Sequence, residues 1–157
     1  MDENEQTASD DIEIRKMTPA DAVEAAALSG ELGYPVTANE MECRIRELSK
    51  APAHTLFVAC SKGAVIGWID VGIVQHLQSD PYGEIGGLVV SAAAHGRGIG
   101  KRLVSAAEVW IAQQRLKKVL VRSQIKREGA HAFYLRQGFE VVKTSLVFMK
   151  AIEEEHA

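Results

Sequence analysis

The hydrophobic positions fall into two periods, and their order along the chain predicts an architecture. Ile12-Glu13-Ile14-Arg15 alternates apolar and polar residues as a half-buried strand does. Thr18-Pro19 then supplies an N-cap followed by proline at the first helical position, and Ala20 to Leu28 reads as a helix that stops at Gly30. After the turn Gly33-Tyr34-Pro35, Met41, Ile45 and Leu48 recur at helical steps and mark the buried face of a second helix, Thr37 to Ser49. Two β-rich runs, Thr55 to Cys60 and Val65 to Val71 with a continuation to Leu77, flank Ser61-Lys62-Gly63, which is a hairpin signal.

The second half follows the same logic. Ser79 to Gly83 reads as a turn into a central strand, Glu84 to Val90. Ile99, Leu103, Ala106, Ala107, Trp110 and Ile111 form the apolar stripe of a helix ending near Arg115. Val119-Leu120-Val121 is a short apolar run of the kind found in interior strands, Ala130 to Gln137 a short helix stopped by Gly138, and Phe139–Val142 and Ser145–Met149 two closing strands. The predicted fold is α/β: a mixed central sheet of six to seven strands flanked by about four helices, antiparallel at first and locally parallel where the long helix crosses over. Residues 12–150 form one domain on this reading, between an acidic tail at 1–11, without large apolar residues, and a second acidic tail at 151–157.

Composition narrows the function classes. No apolar run reaches the roughly 18 residues of a transmembrane helix, and the N-terminus is acidic where a signal peptide would be basic, so a cytoplasmic location is expected. Cys43 and Cys60 form no CxxC pair, and His54, His76 and His131 are scattered, so neither a disulfide framework nor a metal site is expected. The net charge of -3 hides an asymmetry, because nine of the 21 acids lie in residues 1–13 and 153–155, where there is no Lys or Arg. From Arg97 to Arg136 there are ten basic residues and two acids, which suits a polyanionic ligand. No aromatic-interleaved basic motif or recognition-helix pattern accompanies that charge, so nucleic acid is not the expected partner.

The candidate chemistry centres on Glu84 to Arg102. A strand feeds a glycine-rich helix start in which Gly96, Gly98 and Gly100 alternate with Arg97 and Ile99, so several backbone N–H groups can converge on one anion with a helix dipole behind them. A P-loop would need glycine where His95 stands and Ser or Thr where Arg102 stands; a dinucleotide fingerprint would need Gly-x-Gly-x-x-Gly. The stretch His95-Gly96-Arg97-Gly98-Ile99-Gly100 instead resembles the Gln/Arg-x-x-Gly-x-Gly/Ala pyrophosphate loop of the GNAT acetyltransferases, with His95 in place of the usual Gln or Arg. The predicted element order matches that fold over residues 12–150.

The resemblance implies acetyl-CoA as cosubstrate and assigns roles residue by residue. His95 to Gly100 and Lys101 would hold the pyrophosphate, with Arg127 as a further phosphate contact. The backbone of Leu88, Val89 and Val90 would pair with the pantetheine arm, and Gly86-Gly87 would mark a bulge nearby. Ala130 to Phe139 looks like the family's last helix, placing Tyr134 where a phenol can protonate the departing CoA thiolate. Glu84, 11 positions before His95, is the candidate base for the amine. Segments around Glu84, Lys126-Arg127 and Phe133-Tyr134 look particularly like aminoalkylphosphonate N-acetyltransferases. The implied activity is acetyl transfer from acetyl-CoA to a small-molecule primary amine by direct attack. Acetylation of a protein amine, and a non-catalytic acyl-CoA-binding module, are the alternatives. The acceptor and the oligomeric state stay open, a homodimer included.

Overall fold

A computed structural model describes residues 11–154. The chain divides into two compact units, the first ending at Arg122 and the second beginning at Ser123. The first holds a five-stranded sheet in sequence order: β1 (Ile12–Lys16), β2 (His54–Ser61), β3 (Ala64–His76), β4 (Ser79–Val90) and β5 (Val119–Val121). Pairing is antiparallel from β1 to β4 and parallel between β4 and β5, as the order of elements requires once a helix crosses between those two strands. The acidic tail expected at 1–11 lies outside the described residues except for Asp11, and the one expected at 151–157 is described as far as residue 154, exposed and without helix or strand.

Two helices follow β1. The helix α1 (Ala22–Leu32) runs past Gly30, where the sequence reading stops it, and ends at Gly33 with φ 99°. Glycine inside a helix costs only about 1 kcal/mol, whereas the left-handed cap needs it, so Gly33 decides the end. The helix α2 (Ala38–Lys50) starts where Thr37 accepts the Glu40 N–H. Both cover one face of the sheet: Met17, Ala25, Leu28 and Ile45 bury themselves with Leu56, Val58 and Val89, and Trp68 Nε1 donates to the Ala25 carbonyl at 3.2 Å.

The helix α3 (Ile99–Gln113) covers the other face. Its seat is close, because a Cβ on Gly67 would lie 3.2 Å from Leu103, and one on Gly83 would lie 2.5 Å from the Ile111 side chain. These contacts sort the residues of β3. Gly67, Ile69 and Val71 face α3, while Trp68, Asp70 and Gly72 face the α1/α2 side.

The expected Ser79–Gly83 turn belongs to β4 instead, and the chain reverses at Leu77-Gln78 between His76 and its partner Ser79. β5 is an edge strand of this sheet, not the interior strand its apolar run suggests. In the second unit α4 (Glu128–Arg136) ends before Gly138 at φ 90°. Phe139–Val142 and Ser145–Met149 form no strand among the described residues, so the sheet has five strands and not six or seven. Runs of β-prone apolar residues supply strand propensity but no partner edge, and without a ladder the propensity creates no strand.

Asp21 fixes the junction between β1 and α1. It is buried, accepts hydrogen bonds from Arg15 Nη1 and Nη2 at 2.8 Å each, and accepts the Thr18 N–H at 2.8 Å. The Arg15 hydrogen bonds, opposed by desolvation, hold its carboxyl below the ordinary value. That stability is therefore present above the unfolded-state value of 3.8 and disappears as pH falls through the lower native one. Asp21→Asn should cost about 2 kcal/mol at pH 7, the range of charge-assisted hydrogen bonds, and the difference from the parent should shrink at strongly acid pH in urea titrations.

Candidate active site

The glycine loop takes the form of a cradle. β4 ends at Val90, a 3-10 turn spans Ala92–Ala94, and the chain then passes through Gly96 at φ 82° and Gly98 at φ 72° before α3 begins. Both angles lie in the left-handed region that glycine enters without strain, and a Cβ at either would point into open space. Gly98 is the N-cap of α3, and no side chain caps that end. Arg102 N–H reaches the Gly98 carbonyl at 3.2 Å, so the N–H groups before it in the first turn are left for an external acceptor. Arg97, Lys101 and Arg102 are exposed around this terminus. These features fit a pyrophosphate, which needs converging N–H donors, positive charge and room.

His95 does something the sequence alone does not tell. Its Nε2 donates to the Val90 carbonyl at 3.0 Å, tying the loop to the end of the strand that feeds it. The residue that departs from the usual Gln or Arg thus braces the loop.

β4 carries the rest of the first unit's candidate residues. β5 pairs with it only over Gly83, Glu84 and Ile85, whereas β3 accompanies it to Val90. From Gly86 onward, one edge of β4 has no partner strand in this sheet; Val89 turns its backbone groups to β3, and the alternate residues Leu88 and Val90 turn theirs to the free edge leading to the loop, where His95 takes the Val90 carbonyl. Their side chains serve packing, Val89 lying in the core beneath α1. The register slips one residue between Asp70/Gly87 and Val71/Ile85, which leaves Gly86 as the bulge expected at the glycine pair.

Glu84 stands at the start of that segment. Its side chain is 22% exposed, and Oε1 accepts Arg122 Nε at 3.0 Å. Nothing in the sequence signals the Arg122 partner; the parallel register that sets Glu84 opposite Leu120 brings it there. His54, one of the scattered histidines, meets Asp70 only through the sheet register: its Nε2 donates to Asp70 Oδ1 on the Glu84 face of the sheet.

In the second unit, Tyr134 lies on α4 with its ring edge-on to Phe133 and Phe139, at centroid distances of 5.2 and 5.5 Å. Burial pushes its phenol above the ordinary value of 10.0, and the Arg127 charge acts in the opposite direction. The phenol therefore stays protonated at neutral pH. Arg127 is the N-cap residue of α4, and its electrostatic reach extends to that phenol.

The fold is α/β, with a central strand that runs into a glycine-lined, positively charged helix terminus suited to an anionic ligand, and the comparisons with known proteins name the family that carries this arrangement. Residues 24–139 match the Acetyltransferase (GNAT) family. The chain is 26% identical over 144 residues to an aminoglycoside N(6')-acetyltransferase type 1 of Stenotrophomonas maltophilia, covering 89% of this chain and 94% of that protein. It is 34% identical over 96 residues to an aminoalkylphosphonate N-acetyltransferase of Salmonella typhimurium, covering 60% and 61% respectively. Among solved structures, an aminoglycoside N-acetyltransferase in complex with CoA superposes with a TM-score of 0.80 at 20% identity, over 90% of this chain and 95% of that one.

The chain belongs to the GNAT acetyltransferase family. It is an acetyl-CoA-dependent N-acetyltransferase, with acetyl-CoA as its cosubstrate. Among the described residues, no helix is long and apolar enough to cross a membrane, and no cluster of three or more His, Cys, Asp or Glu side chains could hold a metal ion.

Gly98 offers a test of the cradle that separates charge from strain. Asn tolerates φ 72° better than other non-glycine residues, so Gly98→Asn should fold with a modest loss in CoA affinity. Gly98→Asp adds a negative charge at the same point and should weaken CoA binding by at least a further tenfold in calorimetry, about 1.4 kcal/mol. Equal dissociation constants for the two variants would remove the pyrophosphate from this helix end.

Proposed function

We propose that this protein transfers the acetyl group of acetyl-CoA to a small-molecule primary amine by direct attack within a ternary complex. The observation that carries the reading is the layout of β4: Glu84, a free backbone edge from Gly86 to Val90 and the glycine loop follow one another along one strand. Donor and acceptor can therefore meet end to end, with a carboxylate at the junction. Both curated relatives are named for small amine substrates, which supports a small acceptor over a protein one.

The chemistry assigns one proton to each candidate residue. Only a neutral amine attacks a thioester, and the Glu84 carboxylate accepts the proton the amine gives up, directly or through a water. As the N–C bond forms and the C–S bond breaks, Tyr134 passes its phenolic proton to the sulfur and regains one from solvent. Backbone N–H groups on the open edge of β4 align the thioester and stabilise the oxyanion. The loop from Gly96 to Gly100, with Lys101 and the His95 brace, holds the pyrophosphate. Arg127 supports the Tyr134 end through its charge.

Glu84→Gln keeps size and hydrogen bonding but removes the base. Arg122, with its side chain 53% exposed, is solvated without its partner, so the variant should fold. The expected result is a fall in kcat/KM of about 10²-fold at neutral pH with acetyl-CoA binding nearly unchanged, partly rescued at higher pH where more amine is neutral. Wild-type turnover with the same pH profile would show that the amine uses another base.

Tyr134→Phe retains the ring contacts to Phe133 and Phe139 and loses one oxygen. Steady-state kcat should drop by roughly 10²-fold with little change in KM for acetyl-CoA, because the lost interaction strengthens only as the sulfur gains charge. The raised phenol value adds a second readout. The native protein should lose stability as pH rises above 10.0, where the unfolded chain releases this proton first, and the latest-titrating tyrosine in the ultraviolet difference spectrum should vanish in the variant. Turnover within about twofold of the parent would defeat the general-acid role.

A further inference from the structure

The second unit contains a strand-like segment without an edge to pair with. Leu146-Val147-Phe148-Met149 is an unbroken apolar run whose residues are between 81% and 95% exposed, and Val141 and Val142 before it are each 78% exposed. None of the six lies in a helix or strand. Beyond Ile111 every described residue keeps part of its surface in solvent, those of α4 included. A contiguous apolar surface of this kind is rare on a finished monomer, and a β-prone run left open invites aggregation, so this segment is built to be covered.

The first unit contains an edge without a strand. β5 ends the sheet, paired with β4 on one side and with no strand on the other among the described residues. Its residues Val119, Leu120 and Val121 are only half-buried, although an apolar triplet suits a strand covered on both faces. The flanking charges are complementary as well. Lys117 and Lys118 lead into β5, Glu153 and Glu154 follow the apolar run, and none of the four makes an ion pair among the described residues. Within one copy the segment and the outer edge of β5 form no ladder with each other.

We propose that residues 141–149 of one copy add as a strand to the outer edge of β5 in a second copy, and the reverse, so that two chains form a twofold dimer by strand exchange. The occupant is a second copy because this chain carries both halves of the fit, and one twofold axis completes both at once without a third component. Successive residues of an added strand point to opposite faces of the sheet, which is why apolar residues at every position from Leu146 to Met149, and not at every second one, suit it. Six apolar side chains from each copy, at roughly 100 Å² each, reach about the 1,200 Å² at which stable interfaces begin, before the β5 surface they cover is counted. The proposal concerns assembly and is independent of the roles given to Glu84 and Tyr134.

The test uses the full chain. Sedimentation equilibrium at micromolar concentration should give the mass of a dimer. Amide hydrogen exchange should show residues 119–121 and 145–149 protected in that dimer, and dilution to the monomer should expose both stretches together. Proline cannot donate to a ladder, and of two neighbouring strand residues one turns its N–H to each edge. At least one of Val147→Pro and Phe148→Pro should therefore weaken the dimer by about a hundredfold or more, while Val147→Thr, which keeps the N–H and the branched Cβ, stays dimeric. Retained CoA binding in calorimetry shows that the variants are folded; if the proline variants do not fold, exchange in the diluted parent decides alone. A monomer would overturn the proposal, whether its segment is protected by its own β5 or open to a different protein. So would a dimer that persists in both proline variants, or one in which residues 145–149 exchange freely.

Discussion

A β-strand has two hydrogen-bonding edges, and β4 uses only one of them beyond Ile85. That inequality organises the site. β3 holds the strand rigidly along its whole length, while β5 leaves it after three residues, so a run of backbone donors and acceptors stays available within an otherwise packed sheet. Unpaired backbone in such a place is costly unless a partner completes it. An extended ligand with amides of its own is such a partner.

The free edge is useful only if it ends at the phosphate cradle, and close packing fixes that alignment. The start of α3 depends on how deeply the helix sits on the sheet, which in turn depends on Gly67 and Gly83. At Gly67 a side chain would press on both Leu103 and the Val89 carbonyl, the latter at 2.9 Å. At Gly83 it would collide with Ile111. Glycines far from any ligand therefore set the height of the helix terminus. The His95 bond to Val90 then secures the loop between strand and helix.

The charged groups divide by role. Asp21 with Arg15 is a buried clasp that fixes how the chain enters α1. Glu84 with Arg122 and Asp70 with His54 are partly exposed pairs in which one carboxylate oxygen is held by a cationic or ring N–H donor. Arg97, Lys101 and Arg102 make no ion pair among the described residues, which leaves their charge for an anion.

Local pattern and chain order determined much of this protein. The four helices, the first five strands, the glycine loop and the candidate residues Glu84 and Tyr134 are legible because capping, periodicity and glycine spacing act over a few residues. The failures involve distance along the chain. Phe139–Val142 and Ser145–Met149 have strand-like patterns, but no pattern within a segment supplies a pairing edge. Above all, the tertiary structure decided which side chains share a face. If the hairpin register of Ser61 with Ala64 and Cys60 with Val65 continued, His54 would face Val71 and Asp70 would face Thr55, on opposite sides of the sheet. The irregularity at Ala59/Cys60 shifts the pairing by one, and a second at Asp70/Val71 frees Gly86. Because successive residues of a strand point to opposite faces, those single-residue slips, invisible in composition or period, bring His54, Asp70 and Glu84 together.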